Sequence, residues 1–102
     1  MLEKDFYKLC EDALSQLSDE LEKKDSNSKL DFDYSDGILK VVILSNKKTY
    51  VINRNSGNQK IWYSSPLTGA DYFAFDESLK SWRNAKGEEL APKFFSEIQS
   101  FI

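Results

Sequence analysis

A chain of 102 residues and 11.8 kDa has room for one domain with one core, spanning 1–102, and is too short for two. Its 40% hydrophobic, 14% aromatic and 30% charged residues exclude disorder and collagen-like repeats, and its single cysteine excludes an internal disulfide. Net charge is −3 but uneven: residues 1–36 carry 11 acidic and five basic side chains, residues 37–102 six and nine.

With no histidine and one thiol, the usual zinc, copper and haem sites and any Ser-His-Asp or Cys-His constellation are absent, so metal ligands must be carboxylate oxygens. Four scattered glycines make neither a phosphate-cradling loop nor a dinucleotide fingerprint. An acidic chain argues against nucleic acid as partner. The longest apolar run, Val41 to Leu44, is too short for a membrane span, and Met1 leads directly into charged residues, so no targeting peptide is expected.

From Leu2 to Leu21, apolar residues at Leu2, Phe6, Leu9, Cys10, Ala13, Leu14, Leu17 and Leu21 follow the spacing of one buried helical stripe. Glu11, Asp12, Asp19 and Glu22 fall on the opposite, solvent side, and Cys10 reads as a core thiol. Asp25-Ser26-Asn27-Ser28 breaks the helix. Leu30, Phe32 and Tyr34 then alternate with Asp31 and Asp33, the period of a half-buried strand with an acidic outer face.

Asp36-Gly37 is a hairpin signal leading into a strand from Ile38 to Leu44. Further strands are expected at Thr49–Asn53, Lys60–Ser64, Tyr72–Phe75 and Ser81–Asn84, separated by turns rich in Asn, Ser and Gly. Helical spacing returns from Glu88 to Ile102 through Leu90, Phe94, Ile98 and Phe101, with Pro92 acceptable only in the first turn. The sum is an α+β two-layer sandwich: two terminal helices on one face of an antiparallel sheet of about six strands, the other face open to solvent.

Two surfaces could carry function. If Ile61 is in the core, Trp62 must point out of the open face, where a rigidly held indole beside Asn53 and Arg54 could anchor a protein partner or merely pack on its neighbours. Glu22, Asp25, Asp31 and Asp33, with Asp19 and Glu20 one turn earlier, form an acidic ridge. It could collect hard cations weakly, or be a solvated face laced by Asp19–Lys23 and Glu20–Lys24 pairs.

Tyr50-Val51-Ile52-Asn53-Arg54, then Ile61-Trp62-Tyr63-Ser64-Ser65-Pro66 and Gly69, together with Phe6, Asp31, Asp33, Gly37-Ile38-Leu39, Trp82 and Gly87, resemble the signature of the frataxin family, whose bacterial members are called CyaY. The resemblance spans nearly the whole chain. It implies the same sandwich with roughly parallel helices, weak surface binding of Fe²⁺ or Fe³⁺, and contact with the cysteine desulfurase and scaffold of iron–sulfur cluster assembly.

Carried over by position, the ridge is Glu11, Asp12, Asp19, Glu20, Glu22, Asp25, Asp31 and Asp33, and the sheet contacts are Asn53, Arg54 and Trp62. Such a protein is expected to be non-catalytic and monomeric without iron, in a bacterial cytoplasm or alternatively a mitochondrial matrix. A ferroxidase or iron store, and an interaction module that never meets iron, are the other readings. Asn55 and Lys60 stand where relatives commonly carry Gln, Tyr63 where Leu is usual, and Ala70 where Pro is common. Lys23, Lys24 and Lys29 dilute the negative potential of the ridge, so few or weak iron sites are expected. The chain also ends at Ile102 without the C-terminal extension that some relatives pack between their helices, which predicts modest thermal stability.

Overall fold

The computed structural model describes all residues from Met1 to Ile102. Helix α1 (Glu3–Lys24) buries Phe6, Cys10, Leu14, Leu17 and Leu21 of the expected stripe; Leu9 and Ala13 are half-buried, and Leu2 caps the helix and is exposed. Glu3 and Asp5 in its first turn and Lys23 and Lys24 in its last oppose the helix macrodipole with the favourable signs.

Strands β1 (Leu30–Ser35), β2 (Ile38–Ile43), β3 (Thr49–Asn55), β4 (Lys60–Ser65), β5 (Gly69–Asp76) and β6 (Ser81–Arg83) follow, then α2 (Leu90–Ile98) and a tighter terminal turn over Gln99–Phe101. Each strand is antiparallel to the next, in the spatial order β1-β2-β3-β4-β5-β6. Asp36 and Gly37 have φ of 50° and 75°, so both central residues of the first hairpin are left-handed, the twist that suits a two-residue connection between Ser35 and Ile38.

Strands β2 to β4 end within two residues of the expectation, and three further boundaries differ for a structural reason. Strand β5 begins at Gly69, because pairing with Ser65 recruits Gly69, Ala70 and Asp71 despite their poor strand propensity. Strand β6 stops at Arg83, since Asn84 leaves the ladder to bind Asp71 and Glu88 through its side-chain amide. Helix α2 starts at Leu90, because Glu89 is extended and bridges back to Arg83; Pro92 accordingly falls in the first turn.

Both helices cover one face of the sheet. Ala13 and Leu17 lie beside Leu90 and Ala91, and the Lys24 ammonium lies over the Phe95 ring, so the helices run in roughly the same direction. Beneath them Leu39, Val41, Ile43, Tyr50, Ile52, Ile61, Tyr63, Phe73 and Trp82 alternate inward from the strands to meet Leu14, Leu21, Phe94 and Ile98 in one core. Each such aliphatic or aromatic side chain contributes about 1.5–3 kcal/mol on burial. The outward residues of the same strands face water, and that uncovered face carries the candidate site.

Candidate functional site

The acidic residues do not form a single row. Glu11, Asp12, Asp19, Glu20 and Glu22 lie on the solvent side of α1. Asp12 accepts from the Lys8 ammonium at 3.3 Å, and Glu20 lies 4.0 Å from Lys24. The Asp19–Lys23 pair is not made. Glu11 accepts a hydrogen bond from the Tyr34 hydroxyl at 2.5 Å, tying α1 to β1. Burial, with that bond next, pushes the Tyr34 phenol up to about 12.

Asp31 and Asp33 sit two residues apart on β1, so they share one side, and it is the side away from the helices. Opposite them in the ladder stand Val42 and Lys40. The two aspartates therefore belong to the same uncovered face as Trp62, at its outermost strand.

Asp25 corrects the expectation. Its residue is 8% exposed, and its two oxygens accept the backbone N–H groups of Lys29 at 2.7 Å and Leu30 at 3.0 Å. It closes the turn between α1 and β1 and has no oxygen to spare for an ion. Asp25→Asn is expected to cost about 1–2 kcal/mol of stability in urea unfolding while leaving metal binding elsewhere unchanged.

No three carboxylates or thiols stand close enough together to enclose an ion. What the donors offer is hard oxygen, one or two ligands at a time, with water left to complete the shell. That chemistry fits ferrous or other hard cations held loosely and exchangeably, not a closed centre.

The partner residues sort by strand alternation. Asn53 pairs with Ile38 on one side and Trp62 on the other, and Trp62 pairs with Tyr72, so Ile38, Asn53, Trp62 and Tyr72 make one row across the open face. The indole is half-buried and meets the Tyr72 ring edge-on with centroids 5.0 Å apart. Ile38 is 48% and Tyr72 38% exposed. Sequence reasoning missed both, although counting the ladder outward from the Asp36-Gly37 turn would have found them.

Arg54 corrects the expectation as well. As the neighbour of Asn53 in an extended strand it must point to the other face. Its guanidinium lies 4.2 Å from the centroid of the Tyr7 ring on α1 and 3.7 Å from Asp36. A Cβ on Gly37 would come within 2.7 Å of it. Arg54 thus clamps α1 to the first hairpin and does not stand beside Trp62.

Cys10, as expected, is buried; desolvation pushes its thiol up to about 12, with Arg54 opposing. Sequence reasoning missed Glu97 altogether. Its carboxylate, on α2, accepts from Ser65 at 2.5 Å, Thr68 at 3.1 Å, Tyr50 at 3.2 Å and pairs with Lys93 at 3.3 Å. A cleft of ≈ 220 Å³ between the helices over Trp82 is lined by apolar residues such as Leu17 and Leu90 and by polar ones such as Gln16 and Glu89, and holds none of the acidic or sheet-face set except Glu20.

Residues 1–102 match the frataxin-like (CyaY) domain family along their whole length. Among curated relatives, the mitochondrial frataxin of Dictyostelium discoideum is 43% identical over 67 residues, 65% of this chain and 34% of the relative. The mitochondrial frataxin homolog of Drosophila melanogaster is 38% identical over 104 residues, 95% of this chain and 55% of the relative. The chain thus spans between about a third and just over half the length of these relatives. A trimeric frataxin from the yeast Saccharomyces cerevisiae, complexed with ferrous iron, superposes with a TM-score of 0.77 at 28% identity, covering 92% of this chain and 85% of the yeast one. Frataxin from Psychromonas ingrahamii, of the CyaY family, superposes with a TM-score of 0.77 at 18% identity, covering 97% and 93%, a likeness of fold.

Proposed function

The chain belongs to the frataxin-like family, and from that premise we propose that it is a non-catalytic accessory protein of iron–sulfur cluster assembly. It binds Fe²⁺ weakly through exposed carboxylates, and it contacts the cysteine desulfurase with those carboxylates and the scaffold with Asn53 and Trp62. The observation that carries this reading is the sharing of one uncovered face by Asp31, Asp33, Asn53 and Trp62. A metal ion held at the β1 edge and a scaffold anchored at β4 would then lie on the same side of the protein.

The ferrous complex of the yeast neighbour supports the iron part. Ligands that never converge support a cargo bound through few bonds and readily surrendered, in place of an oxidising diiron centre. The protein works as a monomer until iron is added. Its compartment is a mitochondrial matrix or a bacterial cytoplasm: the curated relatives are mitochondrial and one structural neighbour is bacterial. No helix is long and apolar enough to cross a membrane.

The test is an anaerobic Fe²⁺ titration followed by amide resonances. Broadening is expected at Glu11, Asp12, Asp19 to Glu22, Asp31 and Asp33, and not at Asp25. A spectrum unmoved at millimolar metal overturns the iron part. The lysines at 23, 24 and 29 favour a second reading, a partner module that never meets iron. A pull-down in which Trp62→Ala loses the desulfurase–scaffold complex while charge reversal of Asp31 and Asp33 changes nothing would select it.

A further inference from the structure

The β4–β5 ladder ends at the inward pair Ile61–Phe73, so the next residues, Lys60 and Ala74, turn to the uncovered face, and Ala74 pairs with Arg83. A small side chain is thus flanked by two cations. These three residues line a recess of ≈ 530 Å³ together with Ala70, Ala85, Trp62 and Tyr72.

The two cations differ in commitment. Arg83 is held in place: Nε donates to Ser81 Oγ at 2.9 Å, Nη1 to the Gly87 carbonyl at 3.0 Å, and Nη2 lies 3.4 Å from Glu89. Lys60 has no anionic partner; its ammonium lies 6.0 Å from the Tyr72 ring centroid. The one carboxylate lining the recess, Asp71, accepts from its neighbour's N–H at Tyr72 and from the Asn84 amide, both at 2.8 Å. The uncovered face is therefore acidic at β1, uncharged along the row of Ile38, Asn53, Trp62 and Tyr72, and cationic at Lys60.

We propose that this recess is the receptor for a carboxylate of the partner: a segment that lays an apolar side chain on Trp62 and Tyr72 places an adjacent Asp or Glu over Ala74, between Lys60 and Arg83. The inference rests on the reading of Trp62 as a partner anchor and deepens it by fixing the chemistry of the segment that binds there. It depends on the charge that Lys60 brings to this position. A neutral amide can hydrogen-bond a carboxylate but cannot attract it through solvent; a lysine adds a salt-dependent attraction.

The test is the affinity of purified scaffold protein from the same genome for the wild-type chain and variants, at about 50 and 200 mM salt, with thermal unfolding as the check on folding. Lys60→Gln is expected to weaken binding about threefold to tenfold at the lower salt and to flatten the salt dependence. Lys60→Arg keeps both, and Lys60→Glu loses more than the Gln variant. If Lys60→Gln binds with unchanged affinity and salt dependence while Trp62→Ala is weakened, the anchor stands and the carboxylate receptor is refuted. If Trp62→Ala binds as well as the wild type, or the wild type does not bind, the anchor fails and the receptor falls with it.

Discussion

Replacing Glu97 by Ala is expected to lower the stability of this protein by about 3–5 kcal/mol, the range found when one partner of a buried ion pair is removed. The Glu97 side chain is 9% exposed and that of Lys93 14%. Truncation leaves the Lys93 ammonium in a site largely closed to water, and takes the acceptor from the Ser65, Thr68 and Tyr50 hydroxyls at once. The Tyr63 hydroxyl, buried beside the same carboxylate, makes no hydrogen bond either, so truncation adds three hydroxyls and an ammonium to a polar group already left without a partner. For a domain of this size about 3 kcal/mol corresponds to a fall in Tm of roughly 12 °C or more, measurable by calorimetry or circular dichroism.

The same carboxylate makes an acid-side signature. Burial alone would raise it, but the hydrogen bonds from Ser65, Lys93 and Thr68 outweigh burial and hold it below the ordinary carboxyl value of 4.5. A group whose folded pKa is depressed stabilises the protein above its unfolded pKa and loses that contribution as pH falls through the folded one. The stability gap between wild type and Glu97→Gln is therefore expected to be full at neutral pH and to narrow below about pH 4.5. A gap that stays constant down to the acid transition would show that hydrogen-bond geometry alone, and not charge, holds α2 to the sheet.

Trp62→Ala is expected to weaken scaffold binding by at least ~2 kcal/mol, about thirtyfold, while costing little stability. The ring meets Tyr72 edge-on, which accounts for about 0.5–1.5 kcal/mol of folding energy. The other tryptophan is the natural control. Trp82 is 6% exposed and packs against Phe6 and Phe75 with centroids 6.1 and 5.5 Å away. Trp82→Ala is expected to cost about 3–5 kcal/mol of stability through the cavity it leaves. Binding measured well below its lowered Tm should be unaffected. Equal loss of binding in both variants, at matched folded fraction, would remove the case for Trp62 as an anchor.

What could be read from the chain and what could not divide along physical lines. The α1 stripe, the alternation of β1 and the Asp36-Gly37 turn are local: a helix period, a strand period and a left-handed dipeptide are written in consecutive residues. Glu97 was invisible because its partners at Tyr50, Ser65 and Thr68 lie 47, 32 and 29 positions away, and no short-range pattern joins them. Asp25 shows a different limit, since a carboxylate that closes a turn and one that faces water look alike when both follow a run of Glu and Lys. Arg54 is the instructive failure. Resemblance put Asn53, Arg54 and Trp62 together as contacts, yet adjacent residues of a strand point apart, and the alternation that correctly turned Trp62 outward already required Arg54 to turn inward.

An open meander leaves two strands with a free side. On β6 that side is only three residues long and is already engaged where Arg83 bridges to Glu89. On β1 it runs from Asp31 to Ser35, the Leu30 N–H being already taken by the Asp25 carboxylate, and no other strand pairs along it. What deters a second copy from zipping on there is repulsion between like charges at Asp31 and Asp33. The pair of side chains proposed to meet a cation is thus also the guard against self-association, and any event that neutralises it, by ion, proton or substitution, leaves this border free to template another strand.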